Sequence, residues 1–234
     1  MITTILWDID GTILDFNQAE RNALMKTYAQ YGFGECAEEI LQTYIRINAS
    51  YWRKMEAGEI TKKKLLVERF ETFFKEMNLE GNAVAFNDSY LHALLDTVVF
   101  MPHAKRMIEQ LSSSYKQYIV TNGVKDLQEN KIAKANINAY FDGIFISEDI
   151  GYEKPQIEFF QTVFHHAKIT NPDEVIIIGD SLTSDMTGGI CAGIHTCWYH
   201  PQGTINQTDV KPEFEIQSLL ELNDVLKQLS EVSK

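Results

Sequence analysis

The sequence is short of positive charge, of cysteine and of long apolar runs. Its 21 lysine and arginine residues stand against 33 aspartate and glutamate residues, which gives a formal net charge of −12 at pH 7. Because proteins that bind nucleic acid polymers carry a basic surface, this balance argues against such partners. A small anion needs only a local positive site, so the composition leaves small anionic ligands open.

No apolar stretch reaches the length of a membrane span. The first residues also lack a basic segment followed by a long apolar run and a small-residue cleavage site. The three cysteines, Cys36, Cys191 and Cys197, are odd in number and show neither a CxxC pair nor a metal-ligand spacing. We therefore expect a cytoplasmic protein without a membrane partner, in which the thiols are reduced and structural.

Two kinds of pattern divide the 234 residues. From Asn17 to about Leu95, apolar residues recur at spacings of three and four, which predicts helices, and no strand pattern occurs. Gly32, Gly58 and Gly81 fall where these helices are expected to stop, and Thr61 is a candidate helix N-cap.

After Pro102 the pattern changes to alternating strands and helices. A first strand is predicted at 2–7, before the helical block, and further strands are predicted at 118–121, 144–147, 174–179 and 196–198. Helices are predicted at 103–113, 125–136, 156–166, 183–192 and near 218–229, and 201–213 resembles a loop. Repeated strand, helix, strand units form parallel sheets through right-handed crossovers. The expected fold is therefore α/β, a Rossmann-like parallel-sheet core from 1–14 and 96–234, with an inserted all-helical domain from 15–95.

Polar side chains follow four of the predicted strands. The first strand runs directly into WDIDGT, where Gly11 permits a sharp turn. The residues at these four strand ends are Asp8 and Asp10; Thr121 and Asn122; Lys154; and Asp180 and Asp185. In an open parallel sheet the carboxyl ends of the strands line the ligand crevice, so we expect these side chains to converge.

Each of these short stretches also has an ordinary structural interpretation. Thr121-Asn122-Gly123 is typical of a turn, and a lysine before a proline is typical of a solvated loop. Asp185 is suited to capping a helix that begins near Thr183. Taken singly, these interpretations are favoured, but the ordered set at successive strand ends makes their joint occurrence by chance improbable.

The residue types at the strand ends fit phosphoryl transfer. Asp8 can attack phosphorus to form an aspartyl-phosphate, and Asp10 can protonate the leaving oxygen and then deprotonate water. A cation with oxygen ligands, Mg²⁺, would offset the repulsion between carboxylate and phosphate, with Asp8 and Asp180 as ligands. Lys154 and the Thr121 hydroxyl, with Asn122 and nearby backbone amides, are expected to bind the phosphoryl oxygens.

The segments DIDGT, TNG, KP and GDSLTSD resemble, in order, the four motifs of the haloacid dehalogenase-like (HAD) superfamily, most of whose members are Mg²⁺-dependent phosphatases. This resemblance implies that Asp8 is the nucleophile, that Asp10 is the acid/base and binds metal through its backbone carbonyl, and that Asp180 is the third protein ligand. It also implies an outer-shell role for Asp185 and a C1-type cap for the helical insert.

Three longer stretches are similar to the YjjG-type pyrimidine 5'-nucleotidases: TNGVKDLQENKI, YFDGIFISEDIGYEKP and GDSLTSDMTGGICAGIHTCW. The resemblance implies a nucleoside monophosphate as the small phosphorylated substrate. One departure is that Gly11 stands where some close relatives carry an acidic residue. Whether the protein is a monomer or a homodimer is left open by the sequence.

Other functions share parts of this residue set. A phosphosugar phosphatase or mutase could use every one of these core residues, whereas a haloacid dehalogenase needs neither metal nor Asp10 as acid. A binding module on the same fold would be expected to lose Asp8 or Asp180. In the helical insert, Asn48, Ser50, Trp52 and Arg69 could contact a base or sugar, but Trp52 is more typical of core packing and Arg69 of a surface or ion-paired position.

Overall fold

A computed structural model describes residues 1–232 of the chain. These residues form two compact units: one comprises residues 1–15 and the chain from Val99 onward, and the other is Phe16–Val98. The second unit is thus inserted within the first. None of the helices among the described residues combines the length and apolar character that crossing a membrane requires.

The first unit is built on a six-stranded sheet. Its strands are β1 (Thr4–Trp7), β2 (Lys116–Thr121), β3 (Gly143–Ile146), β4 (Val175–Gly179), β5 (His195–Tyr199) and β6 (Phe214–Ile216). All neighbouring strands pair in parallel, in the order β3-β2-β1-β4-β5-β6. The predicted α/β class with a Rossmann-like parallel sheet is therefore confirmed.

Ten helices are found in the described residues. They are α1 (Phe16–Gln30), α2 (Glu38–Glu56), α3 (Lys62–Met77), α4 (Ala83–Leu94), α5 (Ala104–Leu111), α6 (Lys125–Ala135), α7 (Ser147–Ile150), α8 (Ile157–Ala167), α9 (Thr187–Ala192) and α10 (Leu222–Val232). A π-helical turn at Leu182–Met186 precedes α9, and short 3₁₀ turns flank several strands and helices.

The position of β1 in the sheet explains where the functional residues meet. Its four residues are all buried, as expected for a central strand covered on both faces. β1 pairs with β2 on one side and β4 on the other, so the strand order reverses beside it. In open α/β sheets the ligand crevice forms at such a reversal, at the carboxyl ends of the strands. Trp7 ends β1, and Asp8 therefore lies at this crevice.

The second unit consists of α1 to α4 around an aromatic core. Tyr44, Phe70, Phe73, Phe86 and Tyr90 are completely buried, and their rings contact one another with centroids 4.9–5.5 Å apart. Offset and edge-to-face ring contacts of this kind add to the hydrophobic burial.

Local capping explains both ends of α3. The predicted N-cap is confirmed, because the Thr61 side chain accepts a hydrogen bond from the Lys64 amide. The predicted stop at Gly81 is wrong. α3 ends earlier, at Met77, and its C-cap residue Asn78 adopts the left-handed conformation with φ 53°. Asparagine tolerates this conformation better than most residues do.

A chain of polar side chains crosses the interior of this helical unit. Asn48 donates to Glu20 at 2.6 Å, and Arg69 donates to Asn48 at 2.7 Å and to Asn87 at 2.9 Å. All four residues are buried, and the Arg69 guanidinium lies over the rings of two core aromatics. A surface position for Arg69 is therefore wrong, since it is only 2% exposed.

Burial raises the pKa of Glu20 to about 7, although the hydrogen bond from Asn48 and the charge of Arg69 act in the opposite direction. The folded chain thus retains a proton that the unfolded chain releases near the ordinary value of 4.5. Stability should consequently fall as the pH rises from about 4.5 to about 7, by up to about 3 kcal/mol from this group.

We expect Glu20→Gln to remove this contribution, because glutamine keeps the acceptor for Asn48 but cannot ionise. Urea unfolding of both proteins at pH 5 and pH 8 measures the effect, with the variant gaining stability relative to wild type at the higher pH. Because both proteins contain the same other titrating groups, the difference between them isolates the contribution of Glu20 to the pH dependence of the unfolding free energy. An unchanged difference between the two pH values would contradict a proton held by Glu20.

The segments that lead into and out of the helical unit pair with each other within the first unit. The Asp15 amide donates to the Val99 carbonyl at 2.8 Å, and the Met101 amide donates to the Ile13 carbonyl at 2.9 Å. Leu14 also forms an antiparallel bridge with Phe100. The chain therefore leaves and re-enters the sheet unit at neighbouring points.

Candidate active site

The segment after β1 turns sharply because of Gly11. The Asp8 amide still continues the sheet by donating to the Ile178 carbonyl at 2.9 Å. Gly11 then adopts φ +91°, a conformation that glycine enters freely. A Cβ atom at this position would lie 2.5 Å from Oδ2 of Asp180. Glycine is therefore needed here for its backbone conformation and for the close approach of the Asp180 carboxylate.

Asp180 and Asp185 are placed by the end of β4 and the π-helical turn that follows it. Asp180 comes directly after Gly179, the last residue of β4, and its carbonyl accepts from Trp198 Nε1 at 2.8 Å. Asp185 lies in the turn and is 1% exposed. Its Oδ2 accepts from the Ser181 amide at 3.2 Å, which fixes the carboxylate toward the end of the strand.

Lys154 joins these carboxylates. The buried ammonium donates to Asp8 Oδ1 at 2.8 Å, to Asp185 Oδ1 at 2.6 Å and to the Val120 carbonyl at 2.8 Å. All three donor positions of the ammonium are therefore used. Four residues that the sequence places after three different strands, Asp8, Lys154, Asp180 and Asp185, thus lie together in the structure.

Thr121 is the last residue of β2, and Asn122 follows it beside the lysine. The Asn122 side chain accepts from the Lys154 amide and donates to the Lys154 carbonyl, both at 2.8 Å. Its amide group therefore holds the lysine backbone in place. The Thr121 oxygen accepts from the Gly123 amide at 3.0 Å, which leaves the hydroxyl proton able to donate elsewhere.

The three carboxylates create an excess of negative charge. One oxygen from each of Asp8, Asp180 and Asp185 lies within 4.8 Å of the others. Burial, then the charges of Asp185 and Asp10, raise the pKa of Asp8 to about 7 against the lowering effect of Lys154. The pKa of Asp180 is raised well above its usual range by burial and then by Asp8 and Asp185. Asp180 is solvent-exposed, and repulsion from the neighbouring Asp8 and Asp185 carboxylates contributes to its raised pKa.

Lys154 offsets only part of this excess. Its burial alone would lower the pKa, but the charges of Asp185 and Asp8 outweigh burial and raise it above the usual lysine value. The ammonium therefore remains charged, and the cluster has three carboxylates for one cation. Such an all-oxygen donor set fits a hard divalent ion such as Mg²⁺. Asp8 and Asp180 are the suitable protein ligands, since both Asp185 oxygens already accept hydrogen bonds.

Asp10 has a different environment, which the sequence did not reveal. Its Oδ1 accepts from Lys131 Nζ at 2.7 Å and its Oδ2 from Gln128 Nε2 at 2.5 Å. Both partners lie on α6 and are buried. The only signal in the sequence is a polar pair spaced three residues apart in TNGVKDLQENKI, which is also typical of an exposed helix face.

Comparison with known families agrees with this geometry. Residues 5–199 match the family model of the haloacid dehalogenase-like hydrolases. The chain belongs to this family. The resemblance inferred from the four motifs is thereby confirmed. Because the family consists of hydrolases, the chain is a hydrolase by membership.

Relatives of similar length extend the match over almost the whole chain. The HAD-hydrolase YfnB of Bacillus subtilis is 34% identical, and the alignment covers 98% of this chain and 97% of YfnB. The pyrimidine 5'-nucleotidase PynA of Streptococcus pneumoniae is 30% identical over 95% and 94%. The pyrimidine 5'-nucleotidase YjjG of Escherichia coli is 28% identical over 95% and 96%.

A solved structure of one relative also matches the fold. The crystal structure of YfnB, described as bound to magnesium and as revealing interdomain movement, has a TM-score of 0.91. The aligned region covers 96% of this chain and 98% of the YfnB chain. The HAD fold of this protein is therefore shared with a relative that binds magnesium.

Proposed function

We propose that the protein is a Mg²⁺-dependent phosphomonoester hydrolase that acts on pyrimidine nucleoside 5'-monophosphates through an aspartyl-phosphate. The observation that carries the chemistry is the buried Lys154 ammonium between Asp8 and Asp185, at the carboxyl end of the central strand. The two pyrimidine 5'-nucleotidases among its relatives support the substrate.

In the first step an Asp8 carboxylate oxygen attacks phosphorus, and the bond between phosphorus and the ester oxygen breaks. Lys154 orients Asp8 and offers positive charge to a phosphoryl oxygen, and the Thr121 hydroxyl donates to another. Asp10 gives its proton to the departing alcohol oxygen, so that the alcohol leaves neutral. The products of this step are the nucleoside and an acyl phosphate on Asp8.

In the second step water attacks the phosphorus of that acyl phosphate. Asp10, now a carboxylate, takes a proton from the water, and the bond between phosphorus and the Asp8 oxygen breaks. Inorganic phosphate is released, the Asp8 carboxylate is restored and Asp10 is again protonated. One carboxylate therefore acts as nucleophile and the other as the acid and then the base.

We propose that Asp8, the Asp10 backbone carbonyl and Asp180 hold Mg²⁺, with Asp185 supporting the site through Lys154 and Ser181. When bound, the ion neutralises charge on the phosphoryl group and on the attacking carboxylate. The three-carboxylate cluster and the magnesium-bound relative support this assignment. Asn122 is proposed to serve phosphate binding by fixing the Lys154 backbone and presenting nearby amides.

We further propose that residues 15–95 act as a cap domain that selects the alcohol. The residues assigned to phosphate chemistry all come from the sheet unit, so discrimination between alcohols falls to other parts of the chain. Substitutions in the helical unit should then change relative kcat/KM between substrates, whereas substitutions at the strand ends should depress all substrates together.

The test is a phosphate-release screen with Mg²⁺ and, in parallel, with EDTA. It compares UMP, CMP, dUMP and dTMP with AMP, UTP, glucose 6-phosphate and glucose 1-phosphate. We expect the pyrimidine monophosphates, deoxy forms included, to give the highest kcat/KM, the triphosphate to react poorly and EDTA to remove all activity.

Two outcomes of the screen, and one outcome of a separate halide-release assay, would contradict the proposal. If a hexose phosphate outperforms every nucleotide, the protein is a sugar phosphatase. If a hexose bisphosphate forms from glucose 1-phosphate, it is a mutase that returns phosphate to substrate. Release of halide from a 2-haloacid, with activity that survives EDTA, would indicate a dehalogenase.

A further inference from the structure

Two buried side chains of α6 contact the Asp10 carboxylate. Lys131 is 2% exposed and Gln128 is fully buried, yet both extend polar ends to the same carboxylate. Because the two residues are three apart in one helix, they lie on the same helix face. Each Asp10 oxygen accepts one bond, so the carboxylate cannot rotate without breaking a charge-assisted contact.

The space occupied by the Gln128 side chain depends on a neighbouring glycine. Gly123 lies beside the Gln128 side chain, and a Cβ atom at Gly123 would overlap with the Gln128 amide nitrogen. The other end of that amide, Oε1, is buried and has no hydrogen-bond partner among residues 1–232. An unpaired buried carbonyl is unfavourable. The orientation of Gln128 is therefore accounted for by its bond to Asp10 and not by its own hydrogen-bonding needs.

We infer that Lys131 and Gln128 are positioning residues that hold the Asp10 carboxylate in the direction needed for proton transfer to the leaving oxygen. This inference rests on the proposed function, in which Asp10 is the acid. Neither residue needs to touch the substrate. Their effect arises because a misplaced acid transfers its proton inefficiently, and a displacement of about 1 Å can cost on the order of 10²-fold in rate.

The expected signature is a dependence on the leaving group. The nucleoside of UMP leaves as a poor alkoxide unless it is protonated, whereas p-nitrophenolate leaves without a proton. In Lys131→Met the first step, measured as the pre-steady-state burst of released product, should slow by about 10- to 100-fold with UMP. With p-nitrophenyl phosphate it should change by less than about threefold. Lys131→Arg should restore part of the UMP rate, because arginine keeps the charge and donors.

Three further variants separate positioning from general damage. Lys134→Met makes the same substitution at an exposed position of α6 and should leave both rates unchanged. Gln128→Leu removes only the second contact and should give the same selective loss to a smaller extent, which keeps the test open if Lys131→Met does not fold. Adding Lys131→Met to Asp10→Asn should cause no further loss, because its effect passes through Asp10.

The outcomes distinguish this inference from the function on which it rests. An equal loss on both substrates in Lys131→Met and Gln128→Leu, or an additional loss in the Asp10→Asn background, would overturn the positioning role and leave the acid role of Asp10 intact. Wild-type rates in Asp10→Asn would overturn the acid role and the positioning role with it. No phosphate release from any substrate by the wild-type protein would refute the proposed function itself.

Discussion

Asp8→Asn is expected to abolish turnover of every phosphomonoester. An amide nitrogen or carbonyl cannot replace the carboxylate as nucleophile toward phosphorus, and asparagine is also a weaker ligand for a divalent ion. The loss should reach the scale known for removal of a catalytic nucleophile, on the order of 10⁴-fold or more in kcat. Steady-state phosphate release in the presence of Mg²⁺ measures it.

Asp126→Asn provides a matched control for this experiment. It makes the same change on an exposed residue of the sheet unit and should retain full activity. Circular dichroism of both variants checks that the fold is intact. Beryllofluoride, which mimics a phosphoryl group on a carboxylate, should inhibit wild type and should not bind Asp8→Asn. Retention of more than a few per cent of wild-type kcat by Asp8→Asn would exclude the covalent mechanism.

Asp10→Asn should cost on the order of 10²- to 10⁴-fold with UMP, because proton transfer to the leaving oxygen is lost. The backbone carbonyl proposed to bind metal is unaffected by the substitution. A leaving group that needs no proton should therefore recover much of the first step, and p-nitrophenyl phosphate supplies it. Burst kinetics with the two substrates report that step separately from hydrolysis of the acyl phosphate.

The comparison with Asp8→Asn makes this prediction specific. Loss of the nucleophile should affect both substrates equally, whereas loss of the acid should affect UMP far more. If the burst rates of Asp10→Asn fell by the same factor for UMP and p-nitrophenyl phosphate, Asp10 would not be the leaving-group acid. The metal requirement should be unchanged, and titration of activity with Mg²⁺ checks it.

The parallel sheet and the residues at its carboxyl edge could be predicted from sequence, because both follow from local rules. When a buried apolar strand of a parallel sheet is followed by aspartate and glycine, the aspartate lies at the carboxyl end of the strand. The ligand crevice forms at that end of the sheet. Asp8 and Asp180 directly follow buried strands, whereas Lys154 lies eight residues beyond Ile146, the last residue of β3, with α7 in between. β6 was not predicted, since three residues at a sheet edge carry little periodicity.

The contacts of Asp10 and Arg69 could not be predicted, because they depend on packing between distant segments. Lys131 is a buried lysine on a helix whose sequence also suits an exposed face, and its partner lies 121 residues away. Arg69 was expected at a surface or ion-paired position for the same reason, yet it donates hydrogen bonds to two asparagines in the interior of the helical unit. Charged residues are rarely buried unless paired, and pairing across the chain leaves no local pattern.

The paired segments around Leu14 and Phe100 have an evolutionary consequence. Because the chain departs from and rejoins the sheet unit at adjacent hydrogen-bonded positions, the intervening helices occupy the place of a long loop. A long insertion between two such neighbouring positions adds little to the entropic cost of loop closure, because that cost grows only slowly with the length of the loop. The sheet unit can therefore accept helical insertions of different length and sequence without a change in the pairing of its strands. Under the proposed role of the helical unit in selecting the alcohol, a change in this insertion would alter the substrate and leave the residues at the strand ends in place.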